Sequence, residues 1–279
     1  MWTIPLLFQK TNQPHGAQVA TILLLSFGFS PVTLLHAAPL NVPKSATTFT
    51  VSQIYSSGDY DLDVETEMHA TLFKVAYRSR DWGGSLSLPY LDITGPATAI
   101  YEDIYTGELY LVDVDDENRS GIGDAVVSLD RTIWQNLRNR QKLSLGAAIK
   151  LPTGNEEKNL SSGESDISFF AKGHIRQEKM LFSGQMGYQI MGDTEFTDYN
   201  NRLFVAAGLF HMIDRHWGIG GGIRFKQASL DDRDDQLSIN TFVSHRLSKP
   251  WRLGFRINWG LSDAVADYSL GLQLSYTRR

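Results

Sequence analysis

The sequence contains no cysteine. This absence excludes disulfide frameworks, thiolate metal sites and cysteine nucleophiles. A long apolar run is missing as well, because no stretch after Ala38 approaches the roughly 20 residues that a transmembrane helix needs. The mature chain is therefore soluble, or it crosses a membrane as strands.

The chain also lacks an excess of positive charge. The 26 Lys and Arg against 31 Asp and Glu give a net charge of −5, which is unlike a nucleic-acid-binding protein.

The first 38 residues form a segment of a different kind. Lys10 is the only charged residue before an apolar run at 19–29, and Pro31 and then two small residues, Ala37 and Ala38, follow that run. This order predicts a cleavable secretory signal peptide over residues 1–38, cut after Ala37 or Ala38. The run is too short to span a bilayer. The alternative is an N-terminal anchor that stays uncleaved.

The C-terminal third of the chain has a strict period of two. Apolar residues occupy the odd positions of 251–259 and the even positions of 268–276, and small or polar residues lie between them. A period of two belongs to strands and not to helices. Aromatic residues stand at both ends of each segment, which is typical of strands that cross lipid between two aromatic girdles. We therefore predict that six aromatic residues lie at the membrane interfaces: Trp82, Trp217, Trp251, Trp259, Tyr268 and Tyr276.

Similar segments recur upstream and bring the count of predicted strands to about twelve. They lie near 47–56, 68–79, 83–93, 121–134, 143–151, 166–176, 180–190, 203–213, 217–225 and 237–247, before the two already described. The segment 203–213 is apolar on both faces, so its orientation stays open. An even number of strands suits a single-chain bacterial barrel with both termini in the periplasm.

The connections between these segments alternate in length. Short polar turns lie at 80–81, 138–140, 177–179, 214–216 and 248–250, and longer connections lie at 56–63, 94–120, 152–165, 192–201, 230–235 and 262–266. We predict an all-β fold in which residues 39–279 form a transmembrane, antiparallel, up-and-down β-barrel of the Gram-negative outer membrane. A soluble lipocalin-like or jelly-roll protein is the alternative.

Four short stretches together resemble a known family. They are Leu-Pro-Tyr at 88–90, Gly-Ile-Gly-Asp at 121–124, Lys-Leu-Pro-Thr-Gly at 150–154 and Ser-Ser-Gly-Glu-Ser-Asp-Ile at 161–167. In this order they are similar to the outer-membrane barrel family labelled "putative transporter of the meta-pathway of phenol degradation", over most of the mature chain. The resemblance implies a role in the uptake of aromatic or hydrophobic compounds and supplies no catalytic residues. The chain departs from the usual barrel ending, because its last aromatic residue, Tyr276, is followed by three more residues.

Signals of enzymatic chemistry are poor. The sequence has no Gly-x-Ser-x-Gly elbow and no His-Glu-x-x-His motif, and its seven histidines are scattered. Outer-membrane phospholipases use a serine and a histidine on the lipid-facing side of a barrel. His245 falls on the apolar face of its predicted strand, but Ser244 and Ser248 point to the other face, so no nucleophile–base pair is expected. We predict no enzyme, no metal and no cofactor.

Two further motifs have ordinary explanations. The glycine-rich segment 218–222 lies within a predicted strand with no helix after it, so it is not a phosphate loop. Its inward glycines are expected to relieve crowding or to let the sheet curve. The acidic stretch 113–118 lacks the glycine of a calcium loop, and weak binding of divalent cations beside lipopolysaccharide stays open.

Charge is sorted between the strands and the connections. The predicted lumen-facing cations are Lys150, Lys172, Arg176, Arg224, Lys226, Arg246, Arg252 and Arg256, with Lys74 and Arg78 nearer the N-terminus. The acids on the same face are Asp124, Asp130 and Asp166, and the connections at 59–67, 102–117 and 231–235 are acidic. A basic interior would favour anions, because low-dielectric walls focus the field. The alternative is that these cations pair with inward acids or folded-in loops and fill a narrow barrel.

Three functions remain open from the sequence. The first is a channel or transporter for small, aromatic or anionic solutes. The second is a structural or surface-interaction protein that works through its 94–120 connection, and the third is a lipid-acting enzyme. The expected partners are outer-membrane lipid and lipopolysaccharide, the barrel-assembly machinery and a small-molecule solute, with no nucleic acid.

Overall fold

The computed structural model describes residues 45–59, 65–95, 99–102, 109–112, 117–156, 158–194, 198–231 and 233–279. Within these ranges the regular elements are β-strands, and no helix among them is long and apolar enough to cross a membrane. The predicted signal peptide at 1–38 lies outside the described residues. So do positions 113–116 of the acidic stretch and the acidic residues Asp61, Asp63 and Asp232.

The strands of the described part follow one another along the chain. They are β1 (Ser45–Gly58), β2 (Thr66–Ser79), β3 (Trp82–Gly95), β4 (Ala99–Glu102), β5 (Leu109–Val112), β6 (Glu117–Ile122), β7 (Ala125–Asn136), β8 (Gln141–Leu151), β9 (Asp166–Gln177), β10 (Met180–Ile190), β11 (Arg202–Met212), β12 (Trp217–Lys226), β13 (Gln236–Arg246), β14 (Trp251–Gly260) and β15 (Tyr268–Arg278). Both β6 and β7 pair with β3, so together they form one barrel strand. The short strands β4 and β5 form a separate two-stranded sheet.

The large sheet closes on itself into a barrel of twelve strands. Each barrel strand pairs antiparallel with its neighbours in the chain, and β1 pairs with both β2 and β15. Thr50, for example, lies opposite Lys74 on one side and Ser275 on the other. Closure leaves the large sheet of the described residues without an edge strand, which is the condition for a sheet that spans lipid. The predicted antiparallel, up-and-down barrel of about twelve strands is therefore confirmed.

The two ends of the barrel differ in the length of their connections. Turns at 80–81, 137–140, 178–179, 213–216 and 247–250 lie at what we call the short-turn end, and the connections at 59–65, 96–116, 152–165, 191–201, 227–235 and 261–267 lie at the long-loop end. The predicted alternation of turns and loops is thus present. Both ends of the described chain lie at the short-turn end, since Ser45 pairs with Ser79 and Thr47 pairs with Arg278.

One short turn shows how its local sequence fixes the geometry. The Oδ1 atom of Asp214 accepts hydrogen bonds from the backbone N–H groups of Trp217 at 2.7 Å and His216 at 2.6 Å. Asp residues favour turns because their carboxylate can bind the backbone two or three residues ahead. These hydrogen bonds hold the pKa of Asp214 below its usual value. They also set the position of Trp217, the first residue of β12.

The barrel strand made of β6 and β7 departs from its prediction, which was one unbroken strand at 121–134. It starts earlier, at Glu117, and it is interrupted at Gly123 and Asp124. Ile122 pairs with Tyr90 and Val126 with Ser87, so this strand has one residue more than β3 between the two pairs. Pro89 of β3 has no N–H to donate, although its carbonyl still accepts from Gly123 N at 3.0 Å. The result is a bulge that ends one pairing and begins the next.

The outer surface of the barrel is a belt of apolar side chains. Leu86, Phe169, Met186 and Leu272, on four different strands, are each about half exposed. Soluble monomeric proteins rarely expose apolar patches of more than a few hundred Å². Aromatic residues border the belt at both ends. Trp82, Trp217, Trp251 and Tyr276 lie outward at the short-turn end, and Trp259 and Tyr268 lie outward at the long-loop end.

Inside the barrel, phenylalanine rings lie against glycines of neighbouring strands. The ring–glycine pairs are Phe170 with Gly146, Phe204 with Gly187, Phe210 with Gly218, and Phe242 with Gly220. Because glycine has no Cβ, each ring lies along the wall. The rings of Phe210 and Phe242 also stack on each other, with centroids 5.8 Å apart and an interplanar angle of 3°. The expectation that inward glycines of 218–222 relieve crowding is confirmed for Gly218 and Gly220.

Replacing Gly218 with alanine should destabilise the barrel. A Cβ at this position would overlap the ring of Phe210, so the ring would have to move into the lumen. Overpacking of this kind typically costs about 1 to 3 kcal/mol of unfolding free energy. The free energy of unfolding is measured by urea titration, with tryptophan fluorescence and heat-modifiable gel migration as readouts.

Gly184→Ala is the matched control for this change. Its Cβ would meet only the carbonyl oxygen of Ala206, at an ordinary contact distance of 3.9 Å. We expect the urea midpoint of Gly184→Ala to stay near that of the parent protein. Equal midpoints for Gly218→Ala and Gly184→Ala would show that the ring–glycine packing does not stabilise the wall.

Candidate functional site in the barrel lumen

The lumen contains an open cavity of about 450 Å³. Four of the eight predicted lumen-facing cations line it: Lys150, Arg224, Lys226 and Arg256. The other four stand at inward positions nearer the short-turn end, outside this cavity: Lys172, Arg176, Arg246 and Arg252. The eight predicted cations therefore lie at two depths in the barrel, four at the cavity and four nearer the short-turn end.

Lys150 and Lys172 have carboxylate partners within the described part of the chain. The Nζ atom of Lys150 lies 3.2 Å from Asp166 and 3.5 Å from Asp124, and it donates to Ser162 Oγ at 2.7 Å. Lys172 Nζ donates to Asp130 Oδ1 at 2.7 Å. The three inward acids named from the sequence therefore all pair with lysines. Lys150 and Lys172 hold the wall together, which corresponds to the alternative in which lumen cations pair with inward acids.

Three other cations face the cavity without such a partner. Within the described ranges no carboxylate oxygen lies within 4.0 Å of Arg224, Lys226 or Arg256. The Nε atom of Arg224 is buried and has no hydrogen-bond partner in that part of the chain. The guanidinium of Arg256 stands 5.6 Å from the ring centroid of Phe242. Cations deep in a barrel and without a counter-charge are costly, which makes this group the strongest candidate for contact with a solute.

Arg202 belongs beside these cations and was missed from the sequence. It is 1% exposed, and its Nε donates to Gln189 Oε1 at 3.1 Å. The segment 203–213 could not be oriented because both of its faces are apolar. The structure turns Phe204 and Phe210 inward, and each lies on a glycine of a neighbouring strand. An aromatic residue placed opposite a glycine was the signal that would have oriented this strand. We call Arg202, Arg224, Lys226 and Arg256 the cationic wall.

A second missed feature is an apolar surface inside the barrel. Its members are buried and line the cavity: Ile54, Met68, Ala70, Leu72, Leu91, Ile93 and Leu160. We call this set the apolar wall. The first six belong to β1, β2 and β3, and Leu160 belongs to the connection between β8 and β9. Apolar residues on both faces of β2 and β3 were the sequence signal for it, since a purely polar lumen would leave one face polar.

Leu160 reaches the lumen because its connection turns inward. Its backbone N–H donates to Asn155 O at 3.0 Å, and Asn155 Oδ1 accepts from Lys158 N at 2.9 Å. Leu160 is 4% exposed and packs with the apolar residues of β1–β3. The folded-in connection narrows the passage at this level and completes the apolar wall.

Arg202, Arg224 and Lys226 face the apolar wall across the lumen, whereas Arg256 on β14 lies two places from β1 in the ring. In the ring of twelve barrel strands β11, which carries Arg202, lies six places from β2, which carries Met68, Ala70 and Leu72.

Polar uncharged residues line the cavity as well: Ser238 and Asn240 lie on β13, between β12 and β14, and Gln273 lies on β15, between β14 and β1. Lys74 of β2 also lines the cavity beside the apolar wall, and Phe204 and Ala206 of β11 line it beside the cationic wall. The pathway therefore holds a cationic cluster and an apolar cluster within one cavity.

A serine–histidine pair is not assembled in the described part of the chain. Ser244 is buried on the lumen side, whereas the neighbouring His245 faces outward with its ring centroid 4.1 Å from that of Trp217. The serine and the histidine are thus on opposite faces, as predicted. No group of three or more His, Asp or Glu side chains in the described ranges is arranged to hold a metal ion.

Comparison with known proteins places the chain in a family. The family model described as "Putative MetA-pathway of phenol degradation" matches residues 42–277. The chain belongs to this family. The family suggested by the four short motifs is thereby confirmed. A search of curated proteins gave no match.

Solved structures show the same fold as this member of the phenol-degradation family. A COG4313 outer membrane channel from Pseudomonas putida F1 is 14% identical, with a TM-score of 0.64 over 85% of this chain and 97% of that chain. The KdgM porin is 7% identical, with a TM-score of 0.54 over 83% and 99%. The NanC porin is 10% identical, with a TM-score of 0.53 over 82% and 98%. The chain therefore has the fold of outer-membrane channels and porins.

Proposed function

We propose that this protein is an outer-membrane channel that passes small organic anions. The observation that carries the proposal is the group of three cations, Arg224, Lys226 and Arg256, that faces an open cavity with no carboxylate within 4.0 Å in the described ranges. Cations in a narrow passage with low-dielectric walls attract anions and raise their local concentration. No bond is made or broken, and we propose no catalytic role for the chain.

We propose further that the short-turn end faces the periplasm. Both ends of the described chain and all the short turns lie there, which is the arrangement of single-chain bacterial barrels. The outward aromatic residues would then contact lipid headgroups, and the long-loop end would lie among lipopolysaccharide. Such a location requires export and assembly, so residues 1–38 would act as a removed signal peptide and the barrel-assembly machinery would insert the chain.

The long-loop end carries negative charge around its rim. Asp267 lies near Asp59, Glu65 and Asp263, and its partial burial, together with these neighbouring carboxylates, raises its pKa. An acidic rim above a cationic wall would repel highly charged anions before they enter. Small anions of low charge are therefore the solutes that we propose.

Reconstitution of the folded protein in planar lipid bilayers tests this function. We expect single-channel conductance, and in a salt gradient we expect a reversal potential whose sign shows that anions pass more readily than cations. The cationic wall is the physical reason, because it lowers the energy of an anion in the passage. A barrel without conductance, or one that prefers cations, would contradict the proposal.

A further inference from the structure

We infer that the lumen holds a two-part binding site for an amphipathic organic monoanion, a small carboxylate with an aryl or alkyl body. The carboxylate would lie on Arg224 and Lys226, and the apolar body would lie against the apolar wall. This inference rests on the proposed channel function and names the class of solute. It depends on two independent features of the lumen, which must both be satisfied by one ligand.

The apolar wall is the first feature. Water-filled barrels keep a polar interior, so seven apolar side chains on one side of a cavity need a reason. Leu160 is the most informative of them, because it comes from a connection that turns into the barrel and not from a strand. These residues are mostly covered by one another, and the apolar surface that they still present to the cavity is stabilised when an apolar group covers it and releases the water. A hydrophilic solute would leave that surface wet.

The cationic wall is the second feature. Arg224 has a buried Nε without a partner in the described part of the chain, and a guanidinium can hold a carboxylate through two parallel hydrogen bonds. Lys226 on the same strand, two residues along and on the same face, adds a compact charge. A neutral hydrocarbon would leave both cations without a counter-charge. The acid group of the ligand is therefore as necessary as its apolar body.

The size of the space limits the ligand further. A cavity of about 450 Å³ lies within the range of small-molecule sites, which span roughly 300 to 1,000 Å³. The strands of the apolar wall are β1–β3, and Arg224 and Lys226 belong to β12, six places from β3 in the ring. One ligand must bridge them, so its apolar body needs some length beyond the acid group. A phenyl ring on a short alkyl chain meets this requirement.

Three probes of matched size or charge test the inference by calorimetry on the folded protein in detergent. They are 4-phenylbutyrate, its uncharged isostere 4-phenylbutanol, and acetate. We expect 4-phenylbutyrate to bind at least tenfold more tightly than either of the others, and to reduce the chloride current of the channel. Equal affinity for the three probes, or no binding of 4-phenylbutyrate, would overturn the inference.

Two variants locate the site. Lys226→Met should weaken the binding of 4-phenylbutyrate about tenfold and leave that of 4-phenylbutanol unchanged. Leu160→Ser should weaken the binding of both phenyl compounds and leave that of acetate unchanged. The matched controls are Arg131→Gln and Leu137→Ser. Arg131 faces outward over the ring of Trp82, and Leu137 is 68% exposed in a turn, so neither control should change any affinity.

The calorimetric and electrical results separate the two proposals. Conductance with anion preference but without selective binding of 4-phenylbutyrate would leave the channel function standing and overturn the binding site. A barrel that does not conduct would overturn the channel function, whatever it binds.

Discussion

Replacing Arg224, Lys226 and Arg256 together with glutamine should lower the anion-to-cation permeability ratio of the channel by about tenfold or more. These side chains face the cavity and have no carboxylate within 4.0 Å among the described residues, so their charge acts on the solute and is not cancelled by the wall. Glutamine keeps a polar side chain of comparable length but removes the charge. The ratio is measured from reversal potentials in planar bilayers at about 0.1 M salt, where the screening length is near 10 Å.

A second triple variant controls for net charge. Arg131, Arg138 and Lys249 are exposed outside the lumen, and their replacement with glutamine removes the same three charges from the protein. We expect the control to keep the anion preference of the parent. If both triple variants lose the preference equally, the charge of the whole protein sets the selectivity and the cationic wall does not.

Asp166→Asn should give the largest loss of stability among single changes in the lumen. Asp166 is 2% exposed, and its carboxylate lies 3.2 Å from Lys150 Nζ and accepts from Gln189 Nε2 and Gly192 N, each at 3.1 Å. Asparagine keeps the shape but leaves Lys150 with the longer contact to Asp124 as its one remaining carboxylate neighbour among the described residues, beside its hydrogen bond to Ser162. Removing one partner of a buried ion pair typically costs about 3 to 5 kcal/mol of unfolding free energy, and the contact that Lys150 keeps with Asp124 places this change at the lower end.

Urea unfolding followed by tryptophan fluorescence and gel migration measures this loss. Asp231→Asn is the matched control, since Asp231 accepts one hydrogen bond from Asn200 in an exposed loop. The free energy of unfolding of Asp231→Asn should stay within about 0.5 kcal/mol of that of the parent, as for most surface substitutions. If Asp166→Asn unfolded at the same urea midpoint as Asp231→Asn, the ion pair with Lys150 would not stabilise the barrel.

Much of the fold could be predicted because the two environments of a barrel strand differ strongly. In β14 and β15 the outward residues are apolar and the inward residues are small or polar, so the period of two is visible from the sequence alone. Turn lengths added independent information, because they alternate around the ring. The inward positions of Arg224, Lys226 and Arg256 follow from the same alternation.

The rest of the site depends on contacts between distant segments. Which cations are free is set by strand register, since Lys150 and Asp166 are direct partners of β8 and β9, and Lys172 reaches Asp130 across another strand. The inward turn of Leu160 depends on the apolar residues of β1–β3, more than 60 positions away. Alternation alone carries no information on either contact.

The pairing of β1 with β15 has a consequence for biogenesis. Thr48 and Thr277 share a hydroxyl hydrogen bond at 3.1 Å although 229 positions separate them in the chain. The ring therefore closes only after the last strand has reached the membrane, and until then the backbone donors and acceptors of β1 that face β15 stay unpaired. Each such group in contact with lipid costs several kcal/mol. A chain shortened by its final strand would keep two open edges, and we expect it to be degraded or aggregated before it forms a pore.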